Sequence, residues 1–241
     1  MLVNANLIAP KVMSEKWSST SLPSRDEQRQ LKRDALIQMA ARAFRSRGFH
    51  ATSMEDIASS LGVTKGALYR YVKSKQDILY ECFMWSNRIG DEALAVAHFH
   101  EGSGLAKLRL FITHFVENYV AHNTAGGAMV DIDALFPEQR EAVIAGRDKI
   151  DHALRKIIAS GFDDGSIASG DAKLMVLTIM GSINWIPSWY DASGAWKPRD
   201  IAQTIAEIFV AGLDARNARS SGRAAPARVK SAGSRAKEAQ S

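Results

Sequence analysis

Cysteine is all but missing from this chain. Cys82 is the only one in 241 residues, and one thiol cannot close a bridge within its own chain, so a disulfide scaffold is excluded. Cys82 is expected to pack as a small hydrophobe. Histidine is sparse and scattered, six in all, and there is no H-E-x-x-H, C-x-x-C or P-loop spacing to carry zinc, thiol redox or nucleotide-phosphate chemistry. Asp131 and Asp133 stand two apart, on different faces of a helix, which argues against a paired metal or acid–base site. No cofactor, metal ligand or catalytic residue is therefore expected. The only membrane-like run, Leu174 to Tyr190, is uncharged but interrupted by Thr178, Gly181, Ser182, Asn184, Pro187 and Ser188. It falls at the lower end of the ~17 to 25 residues that span a bilayer and reads as a buried helix. The N-terminal MLVNANLIAPKVMSEKW lacks the continuous apolar core of a signal peptide, so a cytoplasmic protein without a membrane partner is expected.

What is present is an ordinary globular composition, 46% hydrophobic and 24% charged, with an uneven charge distribution. The formal charge of +5 divides into +5 over residues 1–82, −6 over 83–214 and +6 over 215–241. A basic front and tail around an acidic middle suggest that an anionic polymer is met at one end. The alternative for the tail is simple solvated charge. Residues 1–24, with SSTSLPS, are expected to form a disordered lead-in, and 217–241 a disordered basic tail with almost no apolar surface to bury.

Between these ends the chain reads as all-α. Arg25 to Arg47 carries Leu36, Met39, Ala40, Ala43 and Phe44 at helical spacing and stops at Gly48. Ser53 to Leu61 opens with a capping signal, Thr52 or Ser53 ahead of Glu55 and Asp56. Leu105 to His122 bears an apolar stripe, Pro137 begins a helix to about Ser160, and the last helices run from Asp171 to about Tyr190 and from Pro198 to about Arg216.

Phe49 to Lys75, FHATSMEDIASSLGVTKGALYRYVKSK, is the most informative stretch. Two short helices, Ser53–Ser60 and Thr64–Tyr71, are joined by a turn at Gly62, the arrangement of a helix-turn-helix. The first helix of such a motif braces on phosphate and the second enters the major groove. Thr64, Lys65 and Gly66 begin the second helix, where free backbone N–H groups attract phosphate. Gly66 and Ala67 permit close approach, Tyr69 and Tyr71 offer hydroxyls and ring edges, and Lys65, Arg70, Lys73 and Lys75 supply charge. The competing reading is a three-helix motif that binds nothing.

GFHATSMEDIASSLGVTKGALYRYVKSKQDIL closely resembles the N-terminal signature of TetR-family transcriptional regulators: a GY/F-x-x-T-S/T element, an I-A-x-x-x-G-V-S/T-K-G-x-L-Y-x-Y/H-F core and an S-K-x-x-L element. The likeness spans about Arg25 to Glu81, and its visible departure is Val72, where Phe is usual. The resemblance implies a homodimer of nine-helix subunits, with a DNA-binding domain over 25–73 and a ligand-binding and dimerisation domain over 74–216. It implies a repressor that binds a palindromic operator and is released by a small molecule. It also implies that Thr52 and Lys75 lie at the phosphates, with Thr64, Lys65, Gly66, Tyr69 and Tyr71 on or beside the recognition helix; Ser53, Ala67 and Arg70 are counted with them as DNA-binding residues. A second class of reading is a helical enzyme acting on an acyl-CoA with an accessory DNA-binding motif; a third is an activator of the same fold.

GSINWIPSWYDASG, Gly181 to Gly194, resembles an element of a TetR branch that responds to CoA thioesters, and VDIDALFPEQREAV, Val130 to Val143, resembles the same branch in its short acidic helix leading to a proline-led one. The resemblance makes an acyl-CoA or other hydrophobic effector the expected partner. Asn184 reads as a buried amide in an apolar helix. With Trp185, Ser188, Trp189, Phe111, Phe115, Tyr119 and Met129 it would wall an apolar tunnel. The alternative is that these aromatics are core and dimer interface. Arg88, Lys107 and Arg109 are candidates to meet CoA phosphates, or are merely solvated. Leu174, Leu177, Gly181, Ile201, Ile205, Ile208, Phe209 and Gly212 are expected at the dimer interface, in a four-helix bundle.

Overall fold

The computed structural model describes residues 24–122 and 132–220, without the side chains of 218–220. Two compact units divide the chain at Leu36/Ile37. The described part of the first is the front half of α1 (Arg25–Arg47). That helix opens on a reciprocal cap: the Glu27 N–H donates to the Ser24 hydroxyl at 3.1 Å, and the Ser24 N–H donates to the Glu27 carboxylate at 2.6 Å.

The second unit starts at Ile37. There α1 turns Ile37, Ala40, Ala41 and Phe44 inward, whereas Met39 is open to solvent, a rotation of about one position from the expected stripe. Gly48, at φ +83°, ends α1 in the left-handed conformation that glycine adopts without strain. Next come α2 (Met54–Ser60) and α3 (Lys65–Leu68), then α4 (Lys75–His98), α5 (Gly104–Ala121), a 3₁₀ turn at Ile132–Ala134, α6 (Pro137–Asp163), α7 (Ala172–Trp189), α8 (Pro198–Leu213) and α9 (Ala215–Ser220). The described residues thus form nine α-helices, and their only β-type pairing is an isolated bridge between Ile167 and Asp214.

Two expected lengths change. The second short helix is one turn rather than Thr64–Tyr71, because the Arg70 and Tyr71 N–H groups fall back to i−3 carbonyls at 3.3 and 3.0 Å. The last long helix stops at Leu213, where the Asp214 backbone is extended and its carboxylate accepts the Arg216 N–H at 2.8 Å. That starts α9, so residues 217–220, expected in the tail, are helical.

The core is organised on α5. Its buried stripe of Leu108, Phe111, Ile112, Phe115, Val116 and Tyr119 meets Ile89 and Ala93 of α4, Ile150, Leu154 and Ile158 of α6, and Ile201, Ala202 and Ala206 of α8. Phe111, Phe115 and Tyr119 stack in sequence, with centroids 5.5 and 5.4 Å apart. Cys82 is buried, its Sγ facing the Ile37 carbonyl at 4.0 Å, and burial pushes its thiol up to about 12.

α5 begins against the end of α6. A Cβ on Gly104 would overlap the Gly161 backbone. The Gly104 N–H donates to Asp164 at 2.7 Å and the Leu105 N–H to the Ser166 hydroxyl at 3.1 Å, satisfying two orphan donors of the helix start.

α7 is not the buried helix its hydropathy suggests. Val176, Ile179, Ile183 and Ile186 point into the core, but Leu174 (63% exposed), Leu177, Trp185 (58%) and Trp189 form a second apolar face that is open. On α8 the residues expected at the interface differ in exposure: Ile201 is buried, and the half-buried Ile205 and Phe209 pack on the core. Ile208 (64% exposed) stays open, and at Gly181 and Gly212 an added Cβ would meet nothing. Among the described residues no helix is long and apolar enough to cross a membrane.

Gly104→Ala should lower stability by about 2 to 3 kcal/mol, since overpacking here has only backbone to displace; urea denaturation at constant m-value measures it.

Candidate functional site

The helix-turn-helix is held by its own polar side chains. Ser53 caps α2: its hydroxyl accepts the Asp56 N–H at 3.1 Å, and its N–H donates to the Asp56 carboxylate at 2.8 Å. Gly62, at φ +64°, turns the chain, and the Val63 N–H returns to the Ala58 carbonyl at 3.0 Å. Thr64 caps α3 by accepting the Ala67 N–H at 3.2 Å. Ile57, Ala58, Leu68 and Val72 are buried beneath, so Val72 serves the inward position where phenylalanine is usual.

This framing leaves one side of α3 bare. Thr64, Lys65, Gly66, Tyr69 and Arg70 are exposed, and Ala67 and Tyr71 are half-buried. Lys65 forms an ion pair with Glu55 of α2, which holds the ammonium above and the carboxyl below their ordinary values. Gly66 is informative: a Cβ there would meet nothing within 4 Å. The fold has no use for glycine at this place, where it costs roughly 0.5 to 1 kcal/mol against alanine.

Thr52 and Lys75, expected at phosphate, face inward instead. Thr52 is buried and its hydroxyl donates to the Gly48 carbonyl at 2.8 Å. The Lys75 ammonium donates to the carbonyls of Phe49 and Thr52 at 2.8 and 2.9 Å and lies 4.3 Å from the Phe49 ring centroid. Burial lowers its pKa. Thr52 closes the α1–α2 turn on the end of α1 and Lys75 fastens that turn to the start of α4, and sequence cannot tell an inward lysine of this kind from an outward one.

A cavity of about 450 Å³ opens between α4, α5, α6 and α7. Phe83, Phe115, Ile150, Val176 and Met180 supply its apolar wall, with Asn87, Tyr119 and Asn184 as polar fixtures. Phe115, Tyr119 and Asn184 are therefore brought together as expected, although Asn184 is exposed rather than a buried amide. Phe111 sits in the core behind them. Trp185, Ser188 and Trp189 are absent from the lining: all three are exposed, and Trp189 meets Trp196 at 6.1 Å instead. Leu177, expected at the interface, also lines the cavity. Met129 lies outside the described residues.

The charges at the cavity are also not the expected ones. Arg88 lies by Glu81 and over Trp85, Arg109 by Glu207, and neither these nor Lys107 line it. Arg147, Arg155 and Lys173 do, with Asp148 and Asp151. Arg147, Asp151 and Arg155 recur every fourth residue around Ile150 and Leu154, a spacing that places them on one side of α6 and could have marked them. Arg147 lies 5.0 Å over the Phe83 ring, its pKa lowered by burial and partly restored by Tyr119. Asn87 donates to the Val143 carbonyl at 3.2 Å, in a space available because residue 146 is glycine. Among the described residues two buried polar side-chain atoms have no hydrogen-bond partner, the Tyr119 hydroxyl and Arg155 Nε. Within the same residues no group of His, Cys, Asp and Glu is placed to hold a metal ion.

Comparison with known proteins agrees with both halves of this arrangement. Residues 36–82 match the family model described as bacterial regulatory proteins, tetR family, and 101–213 match the tetracyclin repressor-like C-terminal domain. The HTH-type transcriptional repressor KstR2 of Mycolicibacterium smegmatis is 27% identical over 79% of this chain and 95% of its own. The structure of the TetR family regulator PfmR from Thermus thermophilus superposes with a TM-score of 0.66 at 27% identity, over 74% of this chain and 98% of its own. That of AibR in complex with isovaleryl coenzyme A and operator DNA gives 0.62 at 23% identity, over 76% and 98%.

Lys75→Met removes the donor to two carbonyls and should cost about 1 to 3 kcal/mol, measured by chemical denaturation of the intact chain.

Proposed function

Because this chain belongs to the TetR family of bacterial DNA-binding transcription regulators, which are not enzymes, we propose that it represses transcription by binding a palindromic operator as a homodimer and leaves it when a CoA thioester fills the cavity. The observation that carries the DNA half is the bare side of α3, where Lys65, Gly66, Tyr69 and Arg70 face out from a motif whose other side chains are committed to holding it. The open space at Gly66 favours close approach to a groove floor, and Lys65 can exchange Glu55 for phosphate. In this reading residues 25–73 read DNA, and 74–216 hold effector and dimer contact.

The effector half rests on the cavity. An apolar wall suits an acyl chain, and three cations against two carboxylates in the lining favour an anionic ligand. Isovaleryl coenzyme A, the ligand in the AibR complex of the same fold, is of this class. A ligand can shift the protein from its operator only by binding one conformation more tightly than the other. For the dimer, the open face of Leu174, Leu177, Trp185 and Ile208, with Gly181 and Gly212 leaving room for close approach, suits a second copy of the same face.

Fluorescence anisotropy with DNA from the protein's own promoter tests the central reading. Binding should exceed that to random DNA of equal length at matched salt, and a CoA thioester should reverse it. Gly66→Ala should weaken promoter binding at least tenfold while leaving stability equal or higher; equal affinity for both DNAs refutes the proposal. Ile208→Glu should shift the protein from dimer to monomer in light scattering, and an unchanged dimer would place the interface elsewhere.

A further inference from the structure

A cavity meant for a plain hydrocarbon chain needs no hydrogen-bond donors at depth, yet this one has two. The Tyr119 hydroxyl and Arg155 Nε are both sealed from solvent and both unpartnered. Tyr119 is only 1% exposed, and an unmade hydrogen bond on a buried group is a standing cost to the fold. Arg155 can only donate, because its guanidinium has no acceptor, and its other end is already held by Asp151. Burial pushes the Tyr119 pKa up, so the phenol remains protonated and able to donate at neutral pH.

The two donors come from different helices of the lining, α5 and α6. Tyr119 interacts electrostatically with Arg147, which precedes Arg155 by eight residues on α6, roughly 12 Å along the axis at 1.5 Å per residue. The positions of Arg147 and Arg155 are thus two places along α6 at which a ligand oxygen can be met. The same lining has an apolar part that includes Ile150, Val176 and Met180.

We propose that the effector's acyl group carries a second oxygen acceptor remote from its thioester, an ω-carboxyl or ω-oxo group, and that Tyr119 and Arg155 select for it over an unsubstituted alkyl chain. The proposal rests on the reading of this cavity as the effector site. One of the two donors takes the thioester carbonyl and the other takes the distal oxygen, while the apolar wall covers the carbons between. The excess of cationic groups in the lining fits a distal carboxylate. Tyr119 and Arg155 are specificity-determining residues in this scheme, held in an unsatisfied state until the ligand arrives.

Isothermal titration of the full chain with octanoyl-CoA, its ω-carboxy counterpart suberoyl-CoA, and free suberic acid tests this. Suberoyl-CoA should bind at least tenfold more tightly than octanoyl-CoA. Of Tyr119→Phe, and Arg155→Lys as a change that keeps the charge beside Asp151, the variant of the donor to the distal oxygen should reduce that preference about tenfold and leave octanoyl-CoA affinity within twofold, and the variant of the donor to the thioester carbonyl should weaken both thioesters alike. Tyr119→Phe should also raise the ligand-free Tm, which separates loss of recognition from loss of fold. Octanoyl-CoA binding as tightly as suberoyl-CoA, with both variants unchanged, overturns the inference while leaving the CoA-thioester reading standing. Suberic acid binding with the same sensitivity to Tyr119→Phe, and neither thioester binding, keeps the two-donor assignment and removes CoA. No binding by any of the three to protein that still binds its promoter overturns both.

Discussion

The interaction on which the rest of the working structure depends is the seat of a single ammonium group. Lys75 stands at the first position of α4 and places its charge on the carbonyls of Phe49 and Thr52, over the Phe49 ring. Those carbonyls belong to the turn between α1 and α2 and cannot find partners inside a helix. One side chain thereby satisfies the turn, fixes the entry into α2 and fastens both to the helix whose next turns carry Phe83, Ser86 and Asn87 into the cavity. α4 is the element common to the DNA-reading motif and the ligand wall, and Lys75 is where it is tied. A ligand that displaces Phe83 or Asn87 acts on a helix that cannot move its first turn without breaking charge-assisted hydrogen bonds.

What can be read from the residues in advance follows the range of the forces involved. Caps and turns are short-range, so Ser53 with Asp56, Ser74, Pro137, Pro198 and Gly48 announce the ends of their helices nearly to the residue. The family likeness lies in the same kind of contiguous segment. α7 shows why the remainder is harder. It has two apolar stripes, Val176–Ile179–Ile183–Ile186 and Leu174–Leu177–Trp185–Trp189, both at helical spacing. Periodicity says that a face exists, not which neighbour it meets, so it cannot distinguish tryptophans that wall a tunnel from tryptophans on the open side, where these lie. The exposure of Asn184 is hidden from the sequence for the same reason. Arg147 and Arg155 carry no mark of their own, because a charged residue on a long amphipathic helix is normally solvated, and only packing against α5 and α7 makes theirs a cavity position.

The molecule tolerates local inefficiency in two places and avoids it in a third. At the start of α5 everything is closed: Gly104 and Gly161 let two helix ends meet backbone to backbone, and the orphan donors there are taken by Asp164 and Ser166. At α3 and at the cavity the chain keeps features that do nothing for its own stability, a glycine with empty space around it and two buried donors without acceptors. Natural sequences depart from local consistency mostly where a second molecule completes the arrangement.

The burial of Cys82 has a practical corollary. With the chain's one thiol enclosed against α1 and its ionisation pushed up to about 12, the native protein should resist maleimides and other thiol reagents. A cysteine introduced on the solvent side of α3 would therefore be a unique attachment point for a fluorophore or spin label. In a two-fold assembly it would occur as one symmetric pair, and the separation of that pair is the distance that must match successive turns of the double helix.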